Sequence, residues 1–203
     1  MNSGLFERRF LIIGFSFLLH FFINLFPTQI GTYNINLDKT LINLVMNDYQ
    51  ISSHELLNGS KSSYETNNKF LNDKRLKSLL EEIYSKLDDY TNELSLVPVD
   101  VSSSWFNEMD NGAHVKLHRH ENSIISGVLY FNLSNNPSPI SFKNPLIPYK
   151  MMELYNGNSN YYNTIGVYEG LLLLFPSWLE HQTLPQSGKR CVISFNTLHQ
   201  GAQ

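Results

Sequence analysis

A mainly β domain with flanking helices, a sandwich or small barrel, is the architecture the sequence predicts. Three observations predict it. Aromatic residues make up 13% of the 203 residues, with 13 Phe and 11 Tyr, and such side chains suit a pleated, half-buried surface. From Val97 onward the chain divides into short apolar runs separated by Pro, Gly and Asn, the punctuation of strands and turns. Before Val97, two segments carry the 3.6-residue period of amphipathic helices.

The elements follow in order. Residues 28–36 alternate weakly and read as a strand. Asp38 can cap a helix through about Asp48, with Leu41, Ile42 and Val45 on one face. Residues 51–68 are rich in Ser, Asn and Gly without a period, which predicts a surface loop. Asn72 or Asp73 can cap a long helix to about Leu94, whose apolar face is Leu76, Leu79, Leu80, Ile83, Leu87, Tyr90 and Leu94. Strands are predicted at 99–108, 113–118, 123–134, 139–142, 164–168, 171–176 and 190–197. The stretch 144–163 is long for a structureless connection, so a lid or binding loop is expected there. Its Tyr149, Tyr155, Tyr161 and Tyr162 would shape a pocket entrance.

Two domain-level readings complete the organisation. Residues 10–26 are almost wholly apolar and follow Arg8 and Arg9. The stretch is marginal against the roughly 20 residues a membrane span needs, so 1–24 is read as an N-terminal extension, an anchor or a vestige. Residues 25–203 are read as the single folded domain, and a cytoplasmic location is favoured over a membrane-anchored one. The net charge of −3 carries no electrostatic footprint for nucleic acid. One cysteine, Cys191, excludes an intramolecular disulfide framework and any Cys-built zinc or iron–sulfur site. A metal site in this chain must therefore use histidines and carboxylates.

Three pieces of sequence can carry that chemistry. In His118-Arg119-His120-Glu121, positions i and i+2 of an extended strand share a face, so His118 and His120 can address one metal. His114 shares that face if the strand is unbroken. In Leu171 to His181, four Leu and a Phe read as a strand buried on both faces, and His181 follows Pro176 near the strand end, where a pocket would open. Arg190 opens the next strand nine residues later; its planar fork can grip a carboxylate. Trp105, Phe106, Trp178 and Phe195 are expected in the core. Cys191 is expected to be a buried apolar filler. Asn107 and Asn122 can orient a ligand histidine or serve a turn.

Together these pieces resemble the 2-oxoglutarate/iron(II)-dependent dioxygenases, and more narrowly a small group of 2OG-Fe(II) oxygenases of prokaryotes and phages. The residues that carry the resemblance are Trp105-Phe106-Asn107, Gly112, His118 through Phe131, Glu169 through His181, and Gly188 through Asn196; Leu25-Phe26-Pro27-Thr28 also matches how such domains open. The resemblance implies a double-stranded β-helix, a jelly-roll barrel with iron at its open end. It implies Fe(II), 2-oxoglutarate and O₂ as cofactor and co-substrates, with hydroxylation of a small-molecule or peptide substrate. It places the metal on His118, His120 and His181, and 2-oxoglutarate on Arg190, with Tyr130 and Ser194 as helpers. The wider superfamily has a carboxylate where this chain has His120. Three arrangements therefore stand open: a three-His site, Glu121 bending in, or two His ligands with a position left to water. Similarity of the second block to prolyl hydroxylases tilts the substrate toward a peptidyl or amino-acid group. Two other function classes remain: a cupin-like three-His dioxygenase that needs no 2-oxoglutarate, and a non-catalytic binding module. Arg190 separates the first from the leading reading, and metal binding separates the second.

Overall fold

The computed structural model describes residues 27–149 and 161–201. In chain order these form β1 (Gly31–Asn34), α1 (Lys39–Met46), β2 (Ser52–Ser53), β3 (Leu57–Ser62), α2 (Lys77–Glu93), β4 (Val99–Val115), β5 (Ile125–Leu133), β6 (Ile140–Lys143), β7 (Tyr162–Ile165), β8 (Leu171–Pro176), β9 (His181–Thr183) and β10 (Arg190–His199). Among the described residues the strands make a seven-stranded sheet, ordered β1-β8-β5-β10-β4-β3-β2, and a three-stranded sheet, β7-β6-β9. Every strand pairing is antiparallel. The fold is mainly β, a double-stranded β-helix with its helices outside.

Strand alternation sorts the apolar residues into two cores. On β8, Leu172 and Leu174 join Leu129, Phe131, Ile193 and Phe195 in a cluster with Ile42 and Val45 of α1 and Ile83 and Leu87 of α2. The other face of β8, Leu171, Leu173 and Phe175, packs with Val128, Val192, Ile140 and Phe142 between the two sheets. This explains why the β8 run reads as continuously apolar: it is buried on both faces. At Gly127, a Cβ would stand 2.1 Å from Phe195 Cζ, so only a glycine lets that ring lie across β5.

Helix α1 starts as expected, with Asp38 Oδ1 accepting a hydrogen bond from Leu41 N at 2.9 Å. The second helix begins later than its period suggests. Asp73 caps a short 3₁₀ turn over Lys74–Leu76 instead, and α2 follows from Lys77. Residues 51–68 are not a surface loop: β2 and β3 form a hairpin that extends the large sheet through β4. Its buried positions are the serines Ser60, Ser62 and Ser63, partnered in part through backbone such as Phe106 N donating to Ser63 Oγ at 3.2 Å. A strand that buries hydroxyls shows no apolar alternation. The strands expected at 99–108 and 113–118 are one strand, β4, whose register on β3 shifts between Asn58 and Ser60. Gly112, at φ +82°, turns that excursion, and Gly112 N donates to Gln186 O at 2.8 Å.

Trp178 is not in the core; it is 53% exposed at the turn after β8, because Pro176 and the tight turn that follows leave its ring no sheet to pack on. Cys191 is half-buried against the helix-side core, and burial pushes its thiol up to about 11. The expected lid falls largely on residues 150–160, Tyr155 included, which lie outside the described residues. Tyr161 and Tyr162, at its far end, are exposed. The apolar segment 10–26 also lies outside the described residues. Among those described, no helix is long and apolar enough to cross a membrane.

Candidate metal and co-substrate site

The three histidines meet through backbone pairing. Beyond Val115 the chain leaves β4, and His118 forms an isolated antiparallel bridge with His181. His118 N donates to His181 O at 3.0 Å, and His181 N donates to His118 O at 2.8 Å. His120 is fixed separately, its N donating to Ser177 O at 3.0 Å in the turn before β9. The expectation that His118 and His120 share the face of a strand is therefore corrected. The strand has ended before them, and bonds to the 177–181 segment hold both. The resulting ring centroids lie 4.3 Å apart for His118 and His181, 5.0 Å for His118 and His120, and 5.2 Å for His120 and His181. One ring nitrogen from each residue falls within 4.8 Å of the others.

Their protonation follows from their neighbours. His118 Nδ1 lies 2.8 Å from Lys116 O, and His181 Nδ1 lies 3.0 Å from Leu179 O. A carbonyl oxygen only accepts, so each Nδ1 carries the proton and each Nε2 keeps its lone pair. Burial holds all three imidazoles neutral: it lowers the pKa of His118, lowers that of His181 further, and pushes His120 down to about 3, with His118 adding to the last two. Three neutral imidazoles with convergent lone pairs fit a divalent first-row metal such as iron.

Glu121 does not join them. Its side chain is 72% exposed and pairs with Arg119 at 3.1 Å. His114 stays on β4 opposite Asn58, outside the triad. Asn107 makes no hydrogen bond to any of the three histidines; it is buried in the wall of the cavity described next. Asn122 sits in a turn at φ +58°.

The triad opens into a cavity of about 440 Å³ lined by the inward residues of β4, β5 and β10. Arg190, Val192, Ser194 and Asn196 alternate along β10 and all face it. Arg190 is 1% exposed, and burial lowers its pKa. Its guanidinium carbon stands 4.7 Å above the Tyr130 ring centroid, and Nη1 donates to Ser138 O at 3.1 Å. No carboxylate pairs with it among the described residues. Arg190 Nε and Tyr130 Oη are buried beside each other and have no other hydrogen-bond partner among the described residues. Burial raises the Tyr130 pKa, so the phenol keeps its proton and is a donor. A buried cation with an unspent N–H beside an unspent O–H is the donor set that a carboxylate would satisfy. Ser194, the third residue expected here, lines the same wall one alternate position beyond Val192.

Sequence reasoning missed the polar residues around this constellation. Asn196 shares the inward alternation of β10 with Arg190, a signal that was readable once that strand's inward face was fixed. Ser126 and Ser177, buried behind the triad, lie in the blocks that carry the family resemblance, but nothing in the sequence gives them a role, because a satisfied buried serine looks like any strand or turn serine.

Residues 103–196 match the family model described as "Putative 2OG-Fe(II) oxygenase". The matched segment contains His118, His120, His181 and Arg190. No curated protein sequence matches the chain. Among solved structures, the fold is similar to a Pseudomonas putida prolyl-4-hydroxylase at 14% identity and a TM-score of 0.58, covering 86% of this chain and 94% of that one. It is similar to HygX from Streptomyces hygroscopicus, solved with nickel and 2-oxoglutarate bound, at 10% identity and a TM-score of 0.58, covering 86% and 84%. It is similar to a Trichoplax adhaerens prolyl hydroxylase, solved with a hypoxia-inducible-factor peptide fragment, at 15% identity and a TM-score of 0.57, covering 84% of each chain.

Proposed function

We propose, from the premise that this barrel is that of a 2-oxoglutarate- and Fe(II)-dependent oxygenase, that the chain hydroxylates a peptidyl or amino-acid substrate. The overall change is substrate C–H, O₂ and 2-oxoglutarate giving substrate C–OH, succinate and CO₂. Iron, when bound, supplies the oxidising chemistry that inserts oxygen into the C–H bond. The protein binds, orients and excludes water.

His118, His120 and His181 would hold the metal, and in His118 and His181 the carbonyl bond on Nδ1 leaves Nε2 free for it. Three neutral ligands leave the full charge of the ion uncompensated, so an anionic co-substrate is drawn to this site more strongly than to one with a carboxylate ligand. Arg190 would grip the distal carboxylate, with Tyr130 donating and Ser194 within the same wall. The observation that carries this reading is the pairing of the triad with Arg190 in one cavity, the arginine buried and without a carboxylate partner among the described residues. A cupin-like enzyme with no 2-oxoglutarate has no use for that buried cation. The similarity in fold to prolyl hydroxylases supports the peptidyl or amino-acid class.

The test is anaerobic addition of Fe(II) and 2-oxoglutarate, read by the weak visible metal-to-ligand charge-transfer band. The band should form, vanish with His181→Ala, and need far more 2-oxoglutarate with Arg190→Ala. Bound iron without a band would overturn the 2-oxoglutarate assignment.

A further inference from the structure

The cavity has a part that the co-substrate does not fill. On β4 the residues Trp105, Asn107 and Met109 alternate inward, and they lie across from Ser194, Val192 and Arg190 of β10. Trp105 is thus four residues, about 13 Å, from the level of Arg190, and its ring is 5.9 Å from that of His120. A five-carbon diacid that reaches from Arg190 to the metal ends there. The space beyond Trp105 is left to the molecule that reacts.

That space has an aromatic wall. The Trp105 and Tyr64 rings meet edge to face with centroids 4.9 Å apart, and Tyr64 and His54 meet likewise at 5.4 Å. With His120 these rings form an unbroken row from the metal site to the β2–β3 hairpin, and all four line the cavity. Trp105 is 7% exposed and Tyr64 38%, so the row is closed beside the metal site and open where a ligand enters. The charges along it are mostly acidic: Glu55, Glu65 and Glu121 line the mouth against Arg119. Arg119 is spent on Glu121 at 3.1 Å. Glu65 Oε1 stands 3.4 Å from His54 Nε2, and Glu55 is in no ion pair among the described residues. With His54 charged or neutral, the mouth is negative.

A second observation says that this wall meets a polar ligand. Asn107, one inward position deeper than Trp105, is 7% exposed, and its side-chain amide has no hydrogen-bond partner among the described residues. An amide left unpaired in a buried wall costs free energy that a bound polar group offsets. Aromatic faces beside carboxylates then favour one kind of group. A cation is attracted to both, the more so as water is excluded. A carboxylate is repelled, and a neutral ring gains only the stacking.

We propose that the substrate carries an ammonium or guanidinium group, which lies on the Tyr64–Trp105 pair with Glu65 and Glu55 beyond it, within one side chain's length of the carbon that reacts. This rests on the oxygenase reading above and narrows its peptidyl or amino-acid substrate to a basic one. The cavity is polarised accordingly: the buried Arg190 draws the diacid inward, and the acidic mouth draws the basic substrate to the other side of the metal.

The experiment uses the full chain with Fe(II) and 2-oxoglutarate under nitrogen. The charge-transfer band reports the metal and co-substrate site, and its shift on titration reports peptide binding. Acetyl-Ala-Lys-Ala-amide is compared with acetyl-Ala-norleucine-Ala-amide, which has the same carbon chain without the ammonium, and with acetyl-Ala-Pro-Ala-amide. The lysine peptide should bind about five- to thirtyfold more tightly than the norleucine peptide, the range between an exposed and a desolvated cation–π contact. Glu55→Gln combined with Glu65→Gln should reduce that preference several-fold while leaving the norleucine peptide and the 2-oxoglutarate requirement unchanged. Tyr64→Leu should reduce the preference likewise, and added salt should shrink it. A role in folding alone would weaken both peptides alike. Equal binding of the lysine and norleucine peptides, tighter binding of the proline peptide than of the lysine peptide, or a preference untouched by these substitutions overturns the proposal. Absence of the band in the unchanged protein overturns the oxygenase reading instead.

Discussion

Replacing Arg190 by methionine separates what the residue costs from what it is for. In the structure its guanidinium is buried, bonded to a single carbonyl, stacked on Tyr130, and paired with no carboxylate among the described residues. A buried cation without a counter-ion carries a desolvation cost of several kcal/mol. Against that stand one charge-assisted hydrogen bond of about 1.5–3 kcal/mol and a desolvated cation–π contact of about 2 kcal/mol. These terms nearly cancel, and a methionine fills most of the same volume. Arg190→Met should therefore leave the free protein as stable as before or up to about 2 kcal/mol more stable, a change in Tm of zero to about +6 °C for a chain of this length. The ligand response should invert the order. With metal present, 2-oxoglutarate at 100 times its Kd should stabilise the unchanged protein by about 2.7 kcal/mol and the variant hardly at all. Thermal unfolding of both proteins with and without 2-oxoglutarate reads all four states. A loss of more than about 3 kcal/mol in the free variant, with ligand stabilisation retained, would refute the reasoning, because Arg190 would then be a structural residue.

Three further outcomes follow from the same geometry. Gly127→Ala drives a Cβ into the buried Phe195 ring and should cost about 1–3 kcal/mol in urea unfolding; a neutral result would mean the ring has room to move. Asp73 accepts from Arg75 N, from the Arg75 guanidinium and from Tyr49, and the hydrogen-bonded Arg75 guanidinium holds its carboxyl well below the usual carboxylate range. A carboxylate depressed in the folded state adds stability above its unfolded pKa, near 3.9, and loses it as the pH falls through the folded value. Asp73→Asn, which keeps a capping oxygen but loses the ion pair, should thus be less stable by up to about 1 kcal/mol at pH 7, a gap that closes as the pH falls below about 4; a gap independent of pH would contradict the assignment. Glu121→Ala should leave the affinity for Mn(II) within about twofold, while His120→Ala should lower it by at least about 100-fold, as read by calorimetry; the reverse order would make Glu121 the ligand.

The candidate site was legible only as a set: His118, His120, His181 and Arg190 are each ordinary when taken alone, and it is their order along the chain that resembles the 2-oxoglutarate/iron(II) oxygenases. Burial on both faces makes β8 a continuous apolar run. What was illegible was polar and cooperative. The β2–β3 hairpin buries serines rather than apolar side chains, so its period is invisible. β4 continues across a glycine excursion that reads as a break. The placement of His118 and His120 depends on bonds to His181 and Ser177, some sixty residues away, which no local pattern encodes. Trp178 read as core by residue type alone and is exposed because the turn after Pro176 carries it away from both sheets.

The most direct test of the account is the stoichiometry of 2-oxoglutarate and oxygen. The full chain with Fe(II), 2-oxoglutarate and ascorbate is placed in air, and succinate formation is followed with O₂ uptake. One succinate should form per O₂ consumed in the unchanged protein and none in His181→Ala, and Arg190→Ala should need more 2-oxoglutarate. Oxygen uptake by the iron-loaded protein that is indifferent to 2-oxoglutarate and to Arg190 would contradict it.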